Sequence, residues 1–552
     1  MHRHTALQRR TWARASSCAV VWIALLSVAC GARAENAPAP PPEQPELSVE
    51  LNDAGAISIL YGGTQLVEDG RWNIENVYLR NASGDVSKAD LKDVKVDVNR
   101  DARTIKYSWA WGEFVCAYSI KGERLDATVT LTNRSDQAIA SVEMTLFTFK
   151  FPKTPSNFVY PPVEPNIGGP TVLRADYGSG NVVICNEDFL QRLHVGIPFA
   201  LNREKTIYSF VVDTGRRPRF ADFFALIDRR IYPGCTDTYH VSLRFGPAGA
   251  TEKELAGDVF ERYRQCFPFK LNWPDRRPIG ALFLSSSETK GKPGNPRGWF
   301  LDKTIDVTTA EGRDAFKTRL MKFAENSIVE LVSNDAQGVI VWDLEGQEFP
   351  HATSYLGDPR SLPPEMEPLA DEFLAKLKSA GLKIGVCVRP QLPVRHPYDN
   401  DVHQTDVRNI FENLNEKIDY AIKRWGCSIF YVDSDVDHDV NGRIIHDAQI
   451  FRKLTEAHPD VLLIPEHAYP QHYAYTAPYK ELRLGFTGTP ENALRVYPEA
   501  FSVIYVADGP IDEKRGELIQ AVKRGDILLF RGWWPDPFNA KMKSIYDEAK
   551  KR

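Results

Sequence analysis

Two patterns of hydrophobic and polar positions divide the chain. From Leu47 to about Phe267, short segments alternate apolar and polar residues and are separated by Gly, Asn and Asp. A period of two places one face of a strand in a core, and its repetition is typical of antiparallel sheets. The clearest segments are Val94–Val98, Thr104–Trp109, Leu125–Thr132, Val142–Phe149, Ile207–Val212 and Tyr239–Phe245. This half is predicted to be an antiparallel β-sandwich.

The pattern changes after a helix predicted over Glu252–Gln265. From Pro268 to Arg552, continuous apolar runs alternate with amphipathic segments of helical period, which is typical of buried parallel strands joined by helices. The predicted helices include Ala315–Val332, Met366–Ser379, Val407–Arg424, Ile444–Glu456 and Glu513–Lys523. The predicted strands are Ile279–Leu284, Gly338–Trp342, Ile384–Val388, Ile429–Val432, Val461–Ile464, Leu484–Thr487, Ser502–Val506 and Ile527–Phe530.

Eight strands over this length predict a closed (β/α)8 (TIM) barrel. An open doubly wound sheet is the alternative, but it would carry a glycine-rich phosphate loop after a strand. The segment Leu282–Ser287 after the first strand lacks G-x-G-x-x-G, and no G-x-x-x-x-G-K-[ST] motif occurs in the chain. The barrel is therefore favoured.

The composition fits a folded protein of more than one domain. The chain has 552 residues, of which 43% are hydrophobic and 26% charged, and single cores stop growing at about 250–300 residues. Its net charge of −5 argues against a nucleic-acid partner, which would need a basic excess. We predict a β-sandwich domain over residues 47–267, a catalytic barrel over residues 268–552, and a proline-rich linker over residues 35–46.

The chain begins with the pattern of a secretory signal peptide. Several arginines precede an apolar run over Ala19–Ala29, and a small-x-small motif ends at Ala34. The run is too short to span a bilayer, so residues 1–34 are predicted to be removed on export. A lipid anchor at Cys30 is the alternative. The mature chain is predicted to be periplasmic or extracellular, with no integral membrane span.

Polar residues cluster directly after the predicted barrel strands, at the end where barrel sites form. They follow the second, third, fourth, fifth, seventh and eighth strands: Asp343, Glu345, Arg389, Asp433, Asp435, Glu466, His467, Asp508 and Arg531. Carboxylates held together in a partly dry opening repel, which raises the pKa of one and keeps another ionised. One neutral acid and one carboxylate are the groups that cleave a glycosidic bond. Alternatively, such acids cap the following helices, and Arg389 forms a structural salt bridge.

The layout resembles the retaining glycoside hydrolases of the α-amylase and α-galactosidase types, in which a β-sandwich is joined to a (β/α)8 barrel. In both types an Asp ending strand four is the nucleophile, which implies Asp433 or Asp435 here. In the α-amylase type a Glu ending strand five is the acid/base, and an Asp ending strand seven assists. The corresponding residues are Glu466 and Asp508.

The α-galactosidase type takes its acid/base from strand six instead. The strand predicted over Leu484–Thr487 is followed by no nearby carboxylate. The resemblance therefore implies Glu466 as the acid/base and leaves the nucleophile open between Asp433, Asp435 and Asp343.

Aromatic residues are frequent in the same loops. Flat rings stack on the apolar C–H faces of sugars, so they suit a carbohydrate cleft; packing inside the barrel is the alternative for some of them. The candidates are Trp342, Tyr469, Tyr473, Tyr475, Tyr479, Trp533 and Trp534. Together with Asp343, Glu345, Arg389, His467, Asp508 and Arg531, the residues Tyr469, Trp533 and Trp534 are predicted to bind substrate.

A calcium-loop pattern occurs once, at Asp437, Asp439 and Asn441 in D-x-D-x-N-G. The twelfth position, where an EF-hand needs Glu, is Ala448. An irregular Ca²⁺ site is the remaining metal hypothesis, and no other cofactor is predicted.

The sequence thus predicts an exported glycoside hydrolase, retaining and acting on α-linkages of an oligo- or polysaccharide. Two alternatives remain open. One is a carbohydrate-binding or scaffold protein of the envelope without catalysis, whose acids would be scattered or paired with arginines. The other is a metal-dependent lyase or isomerase barrel.

Overall fold

A computed structural model gives the structure of the protein. It describes residues 46–156, 172–188, 194–196, 200–215, 229–300, 302–347, 356–395, 402–405, 407–439 and 442–551. The predicted signal peptide, Cys30 and all but the last residue of the predicted linker lie outside them. In the described part of the chain, no helix is both long enough and apolar enough to cross a membrane.

The N-terminal half consists of antiparallel sheets, as the alternating pattern predicts. In its described part the strands are β1 (Leu47–Leu51), β2 (Ile57–Tyr61), β3 (Thr64–Gly70), β4 (Asn73–Arg80), β5 (Val86–Lys88), β6 (Lys95–Asn99), β7 (Thr104–Trp109), β8 (Gly112–Lys121), β9 (Arg124–Asn133), β10 (Ala138–Lys150), β11 (Val172–Asp176), β12 (Gly180–Asn186), β13 (His194–Gly196), β14 (Ile207–Gly215) and β15 (Thr236–Pro247). They form sheets in the orders β1-β2-β3, β13-β14-β10-β4-β5 and β11-β12-β15-β9-β8-β7-β6.

Strand β9 shows why the pattern forms a sandwich. Leu125, Ala127, Val129 and Leu131 are buried on one face, while the residues between them are partly exposed. The buried face packs in the same core as residues of the five-stranded sheet, including Phe147 of β10. Burying one face of each sheet against the other stabilises the fold, because apolar area removed from water contributes roughly 25 cal/mol per Å².

Helix α1 (Glu252–Cys266) links this half to the next. Thr251 caps it in a capping box with Glu254, which satisfies the first backbone N–H groups. Its buried face belongs to the same core as sandwich residues such as Val183 and as the barrel helices. The Tyr497 hydroxyl also donates to the carbonyl of Phe267 at 2.6 Å, directly after α1.

The C-terminal half alternates strands and helices. Its described strands are β16 (Ile279–Leu282), β17 (Ser285–Lys292), β18 (Asn295–Trp299), β19 (Gly338–Val341), β20 (Lys383–Val388), β21 (Leu392–Arg395), β22 (Val402–Thr405), β23 (Ile429–Val432), β24 (Val436–Asp439), β25 (Gly442–Ile445), β26 (Leu462–Pro465), β27 (Tyr479–Glu481), β28 (Val503–Tyr505) and β29 (Ile527–Arg531). Its described α-helices are α2 (Ala310–Ser333), α3 (Ala370–Ser379), α4 (Ile410–Trp425), α5 (Ala448–Ala457), α6 (Glu491–Val496), α7 (Arg515–Arg524) and α8 (Pro537–Ala549), with 3₁₀ turns at Pro470–Ala474 and Leu482–Leu484.

Eight parallel strands form the barrel, in the order β26-β23-β20-β19-β16-β29-β28-β27. Alternate strand residues face inward or toward the helices: Ile429 and Tyr431 lie in the inner core, whereas Phe430 and Val432 pack in the outer one. The predicted fold class, a β-sandwich followed by a (β/α)8 barrel, is confirmed. Hairpins β17–β18, β21–β22 and β24–β25 extend from the carboxyl ends of β16, β20 and β23.

The prediction for the sixth barrel strand is wrong. The strand is β27 rather than Leu484–Thr487, where a 3₁₀ turn ends at Gly485 with a φ of 90° and Leu484 is exposed. The sequence shows no apolar run at β27, because its central residue is a lysine, Lys480. The alkyl chain of Lys480 is nevertheless buried, and its ammonium lies 5.0 Å from the centroid of the Phe486 ring. The true strand six ends in a carboxylate, Glu481.

Candidate active site

Polar and aromatic side chains at the carboxyl ends of the barrel strands surround a cavity of about 560 Å³. Its lining in the described residues combines seven aromatic rings, three carboxylates and two arginines. The carboxylates are Glu466, Glu481 and Asp508, which follow or end β26, β27 and β28. A cavity of this size and lining is suited to a small polar ligand with apolar faces, such as a sugar.

The aromatic rings form a continuous surface in the cavity. The centroid of the Trp342 ring lies 4.5 Å from that of the Tyr431 ring, which lies 5.2 Å from the centroid of the Tyr479 ring. The centroid of the Phe283 ring lies 5.3 Å from that of Trp342 and 5.5 Å from that of Trp533, so Phe283 extends the surface to strand β29. Strand periodicity explains this surface, because Tyr431 and Tyr479 face the barrel interior from β23 and β27.

Glu466 lies where the cavity meets a polar cluster behind it. Its side chain is 33% exposed, and Oε2 accepts the backbone N–H of Ser434 at 2.9 Å. Burial raises the pKa of Glu466 to about 7, and the negative charge of Asp433 and a hydrogen bond to it add to the rise. Glu466 is therefore able to hold and release a proton near neutral pH.

Asp433 lies beside Glu466 but is more deeply buried, with its side chain 6% exposed. Arg389 donates to Asp433 Oδ2 from Nε at 2.8 Å and also from Nη2. The other oxygen, Oδ1, accepts the Ser434 hydroxyl at 3.3 Å. The guanidinium therefore orients this carboxylate beside Glu466.

Asp435 and His467 complete the cluster. Asp435 is fully buried, and its Oδ1 accepts the backbone N–H of His467 at 2.9 Å and lies 3.0 Å from its Nδ1. His467 Nδ1 is also 3.6 Å from Glu466 Oε2. Burial alone would lower the pKa of His467, but the hydrogen bond to Asp435 and the neighbouring carboxylates raise it overall. The donor atoms of Asp435, Glu466 and His467 lie within 4.8 Å of one another, which makes them a candidate metal group.

Asp343 and Glu345, predicted to bind substrate, lie outside the cavity lining. The Asp343 carboxylate accepts backbone N–H groups of Leu284 and Ser285 at 2.6 and 2.8 Å, and also the Ser285 hydroxyl. Burial raises the pKa of Asp343 to about 6 and that of Glu345 to about 8. Asp343 thus ties strand β19 to the end of β16.

Tyr469, Tyr473 and Tyr475 are core residues. Each is at most 2% exposed, and the three rings pack in hydrophobic clusters. Their loop contains the 3₁₀ turn Pro470–Ala474, which turns these side chains inward. The structure therefore separates them from the rings that face the cavity.

Asp508, Arg531, Trp533 and Trp534 do line the cavity. The Arg531 guanidinium contacts Asp508 through Nη2 and Asp536 through Nη1 at 3.2 Å. Trp534 is 43% exposed. These residues form the cavity wall at strands β28 and β29, where a ring and a paired guanidinium are both accessible.

Residues of the true sixth strand complete this wall, and the sequence reasoning missed them. Glu481 lines the cavity and accepts Arg483 Nε at Oε2 and the Tyr479 hydroxyl at Oε1, the latter at 3.0 Å. Arg483 and Tyr505 also line the cavity. The signal that could have found them is the alternation in Tyr479-Lys480-Glu481, which places both outer residues on one strand face.

The calcium hypothesis is not tested by the described side chains. Asp437 and Asp439 lie on β24, which pairs with β25 as an antiparallel hairpin, and Asn441 lies outside the described residues. The irregular Ca²⁺ site at these three residues stays a prediction.

No family model matches the chain, and no curated protein matches it in sequence. Solved structures do match it. An α-N-acetylgalactosaminidase from Bifidobacterium bifidum in complex with GalNAc is 10% identical, covers 91% of this chain and 91% of its own, and has a TM-score of 0.54. A GH31 family sulfoquinovosidase from E. rectale is 9% identical, with 91% and 82% coverage and a TM-score of 0.47. A GH36 α-galactosidase from Geobacillus stearothermophilus is 10% identical, with 92% and 75% coverage and a TM-score of 0.40.

The α-N-acetylgalactosaminidase is the structure from which we infer the shared fold, because its TM-score is 0.54. Its match over nine-tenths of both chains confirms, for the fold, the resemblance to α-glycosidases of the sandwich-and-barrel type. At 10% identity the likeness concerns the fold and does not extend to individual site residues.

Proposed function

We propose that the protein is an exported glycoside hydrolase that cleaves α-glycosidic bonds of an oligo- or polysaccharide with retention of configuration. The observation that carries this proposal is Glu466: a partly exposed carboxyl group in an aromatic-lined cavity, with its pKa raised to about 7 beside a second carboxylate. A neutral acid next to an ionised one is the pair that such cleavage requires.

In the proposed mechanism Asp433 attacks the anomeric carbon while Glu466 donates its proton to the leaving glycosidic oxygen. The glycosyl–Asp433 ester forms as the C–O bond to the aglycone breaks. Glu466, now ionised, takes a proton from water, whose oxygen attacks the anomeric carbon and releases Asp433. Arg389 supports Asp433 in this role, because its described hydrogen bonds to Asp433 go to Oδ2, whereas Oδ1 accepts the Ser434 hydroxyl at 3.3 Å.

Asp433 is preferred as nucleophile over Asp435 and Asp343. Asp435 is fully buried and hydrogen-bonded to His467, and Asp343 is fully buried against the backbone of Leu284 and Ser285, after β16. Both would need a rearrangement of buried hydrogen bonds before contacting a sugar. Asp433 lies next to Glu466 and needs a smaller displacement.

Glu481 is the alternative acid/base, because it ends the true sixth strand and lines the same cavity. Both of its oxygens accept hydrogen bonds, from the Tyr479 hydroxyl and the Arg483 guanidinium, which suits binding of substrate hydroxyl groups. Glu466 is therefore preferred as the proton donor, and Glu481 is assigned to substrate binding with Asp508, Arg531, Trp533 and Trp534.

A second candidate function is sugar binding without hydrolysis, and the ion pairs favour it. Asp433, Glu481 and Asp508 each contact an arginine. Glu466 differs from them: among the described residues it has no arginine partner. Hydrolysis is preferred because this acid, which contacts no arginine in the described part of the chain, faces the cavity.

The test is hydrolysis by the mature chain of a panel of aryl α- and β-glycosides and natural oligosaccharides, including α-galactosides and α-N-acetylgalactosaminides. We expect Glu466→Gln to lower kcat on substrates with poor leaving groups at least about 100-fold, the size typical of general acid catalysis. The exposed Glu499 gives a matched control, Glu499→Gln. Binding of a glycan by calorimetry without turnover would instead support the binding protein.

The stereochemistry and the export have their own measurements. Proton NMR of the first product should show the α-anomer, whereas a β-anomer as first product would contradict retention. Mass spectrometry of the secreted chain should find Glu35 at its N-terminus. A lipid-modified Cys30 would replace signal cleavage after Ala34 by a lipoprotein anchor.

A further inference from the structure

We propose that Asp435, Glu466 and His467 form a binding site for a divalent transition-metal ion of the Zn²⁺ class. We further propose that this ion and the catalytic proton compete for Glu466. The competition rests on the proposed function, whereas the metal site stands on the geometry of the three side chains.

The spacing of the donor atoms fits a small ion. Metal–ligand bonds of Zn²⁺ to imidazole nitrogen and carboxylate oxygen are about 2.0–2.2 Å, so tetrahedral ligands lie about 3.4 Å apart. His467 Nδ1 lies 3.0 Å from Asp435 Oδ1 and 3.6 Å from Glu466 Oε2. The third separation is also within 4.8 Å, so displacements of a few tenths of an ångström to about 1 Å would close the site.

A buried oxygen beside the group has no partner. Asp435 is 0% exposed, and its Oδ2 makes no hydrogen bond among the described residues. Gln391 presents a second such atom: its Nε2 donates to the carbonyls of Ser434 and Val436, which flank Asp435, and its Oε1 has no described partner. A buried, unpartnered carboxylate oxygen costs free energy that a cation would recover.

Acidic side chains outnumber the basic one around the group. Asp433, Asp435 and Glu466 are acidic, and among the described residues Arg389 contacts Asp433. Imidazole nitrogen and carboxylate oxygen are both ligands of Zn²⁺ in proteins, and imidazole also binds other divalent transition metals. Ca²⁺ needs 6–8 oxygen ligands and is disfavoured by the imidazole.

Occupation of the site would switch off the proposed hydrolysis. A carboxylate oxygen bound to the ion cannot carry the proton that Glu466 must give to the glycosidic oxygen. The metal would therefore inhibit, in contrast to a metal-dependent barrel, in which the ion is required. Adding a chelator should therefore leave the proposed hydrolysis active, whereas it would abolish the activity of a metal-dependent barrel.

The test is calorimetric titration of the tag-free, EDTA-treated mature chain with ZnCl₂, followed by absorption spectra with Co²⁺. We expect one site, at least tenfold weaker in Asp435→Asn, His467→Gln and Glu466→Gln. The matched control is His458→Gln, because His458 also lies beside a carboxylate, Asp419, at 3.8 Å; its affinity should equal that of the unmodified chain. Glu466→Gln is partly exposed and isosteric, so it remains informative if a buried variant fails to fold.

Unchanged affinity in all three variants would overturn the metal site, whatever the chain hydrolyses. Zn²⁺ binding without inhibition of glycosidase activity would overturn the competition and leave hydrolysis intact. Zn²⁺ binding by a chain that hydrolyses no glycan supports the site and contradicts the proposed function. Activity that requires the metal would overturn the competition and favour the metal-dependent barrel.

Discussion

At the scale of single residues, the surroundings of each carboxyl group decide what it can do. Glu466 and Glu345 both follow barrel strands, yet Glu466 is partly exposed in the cavity whereas Glu345 is buried and does not line it. The sequence could predict that acids follow the strands, because apolar runs end there. It could not predict which acids face the cavity, since this depends on hydrogen bonds such as those of Asp343 to the backbone of Leu284 and Ser285.

Glu466 predicts the pH dependence of hydrolysis. A proton donor must be protonated, so kcat/KM in the presence of EDTA should fall as pH rises through about 7, where the pKa of Glu466 lies. The measurement is the pH profile of kcat/KM between pH 4 and 9 on a substrate with a poor leaving group. A profile that stays flat through neutral pH would remove Glu466 from the proton-transfer step.

Glu345 predicts a pH dependence of stability. Burial raises its pKa to about 8, so the folded state holds a proton that the unfolded chain releases above about 4.5. Its contribution to stability is complete below pH 4.5 and is lost as pH rises toward 8. The unfolding free energy of the Glu345→Gln variant should therefore be higher than that of the unmodified chain by about 2–4 kcal/mol at pH 8. At pH 5 the difference should be much smaller, because the folded and unfolded chains then differ less in proton binding. Thermal melts across this range measure the difference, and a constant difference would contradict it.

At the scale of elements, helix α4 fixes the loop that carries Arg389. Lys417 is fully buried on α4, and its Nζ donates to the carbonyls of Arg389 and Gln391 at 2.7 and 2.6 Å. Burial lowers its pKa to about 8, which leaves it charged at neutral pH. A helix outside the barrel thereby positions an arginine at the mouth.

Lys417→Met should therefore lower kcat/KM about tenfold, corresponding to about 1.4 kcal/mol, because Arg389 loses the anchor of its backbone. The exposed Lys423 on the same helix gives the control, Lys423→Met, which should keep full activity. Steady-state kinetics of both variants measure the effect. Equal activity of the two variants would show that α4 does not position Arg389.

The elements also show where prediction from sequence succeeds. Strand β7 was predicted at its exact bounds, and β8 and β9 alternate as their apolar positions indicate. β27 was missed because it has three residues and a lysine at its centre, so no apolar run marks it. Helix α8 was also missed, although Asp536 caps it and Pro537 begins it, both recognisable start signals.

At the scale of the whole molecule, α1 joins the sandwich and the barrel. On the sandwich side, Arg244 of β15 contacts Asp258 of α1 and also Glu187, the latter at 2.9 Å. On the barrel side, the ring centroid of Tyr263 in α1 lies 6.2 Å from that of Tyr497. Residues Pro45–Arg552 accordingly form one compact unit. Helix α1 packs in the same core as the barrel helices, yet the domain boundary predicted after residue 267 assigns α1 to the sandwich. This boundary stays a prediction.

Two truncated chains test this role of α1. A fragment of residues 268–552 exposes the barrel surface that α1 covers, so its melting temperature should be at least about 5 °C below that of a fragment of residues 250–552. Circular dichroism melts of both fragments give the comparison. Equal melting temperatures would show that α1 adds nothing to the barrel.

The order of the barrel ladder has one more consequence. The ladder begins with β26 and ends with β27, so Glu466 and Glu481 stand on opposite sides of a seam. Asp433 and Glu466, by contrast, follow directly paired strands, and Val432 lies opposite Pro465. Across this seam the backbone N–H of Ala477, just before β27, donates to the carbonyl of Leu463 in β26 at 3.0 Å. The two edge strands are thus held together less regularly than β23 and β26, which form a continuous ladder. The position of Asp433 relative to Glu466 is therefore fixed by a regular ladder, whereas that of Glu481 relative to Glu466 depends on a looser contact between edge strands.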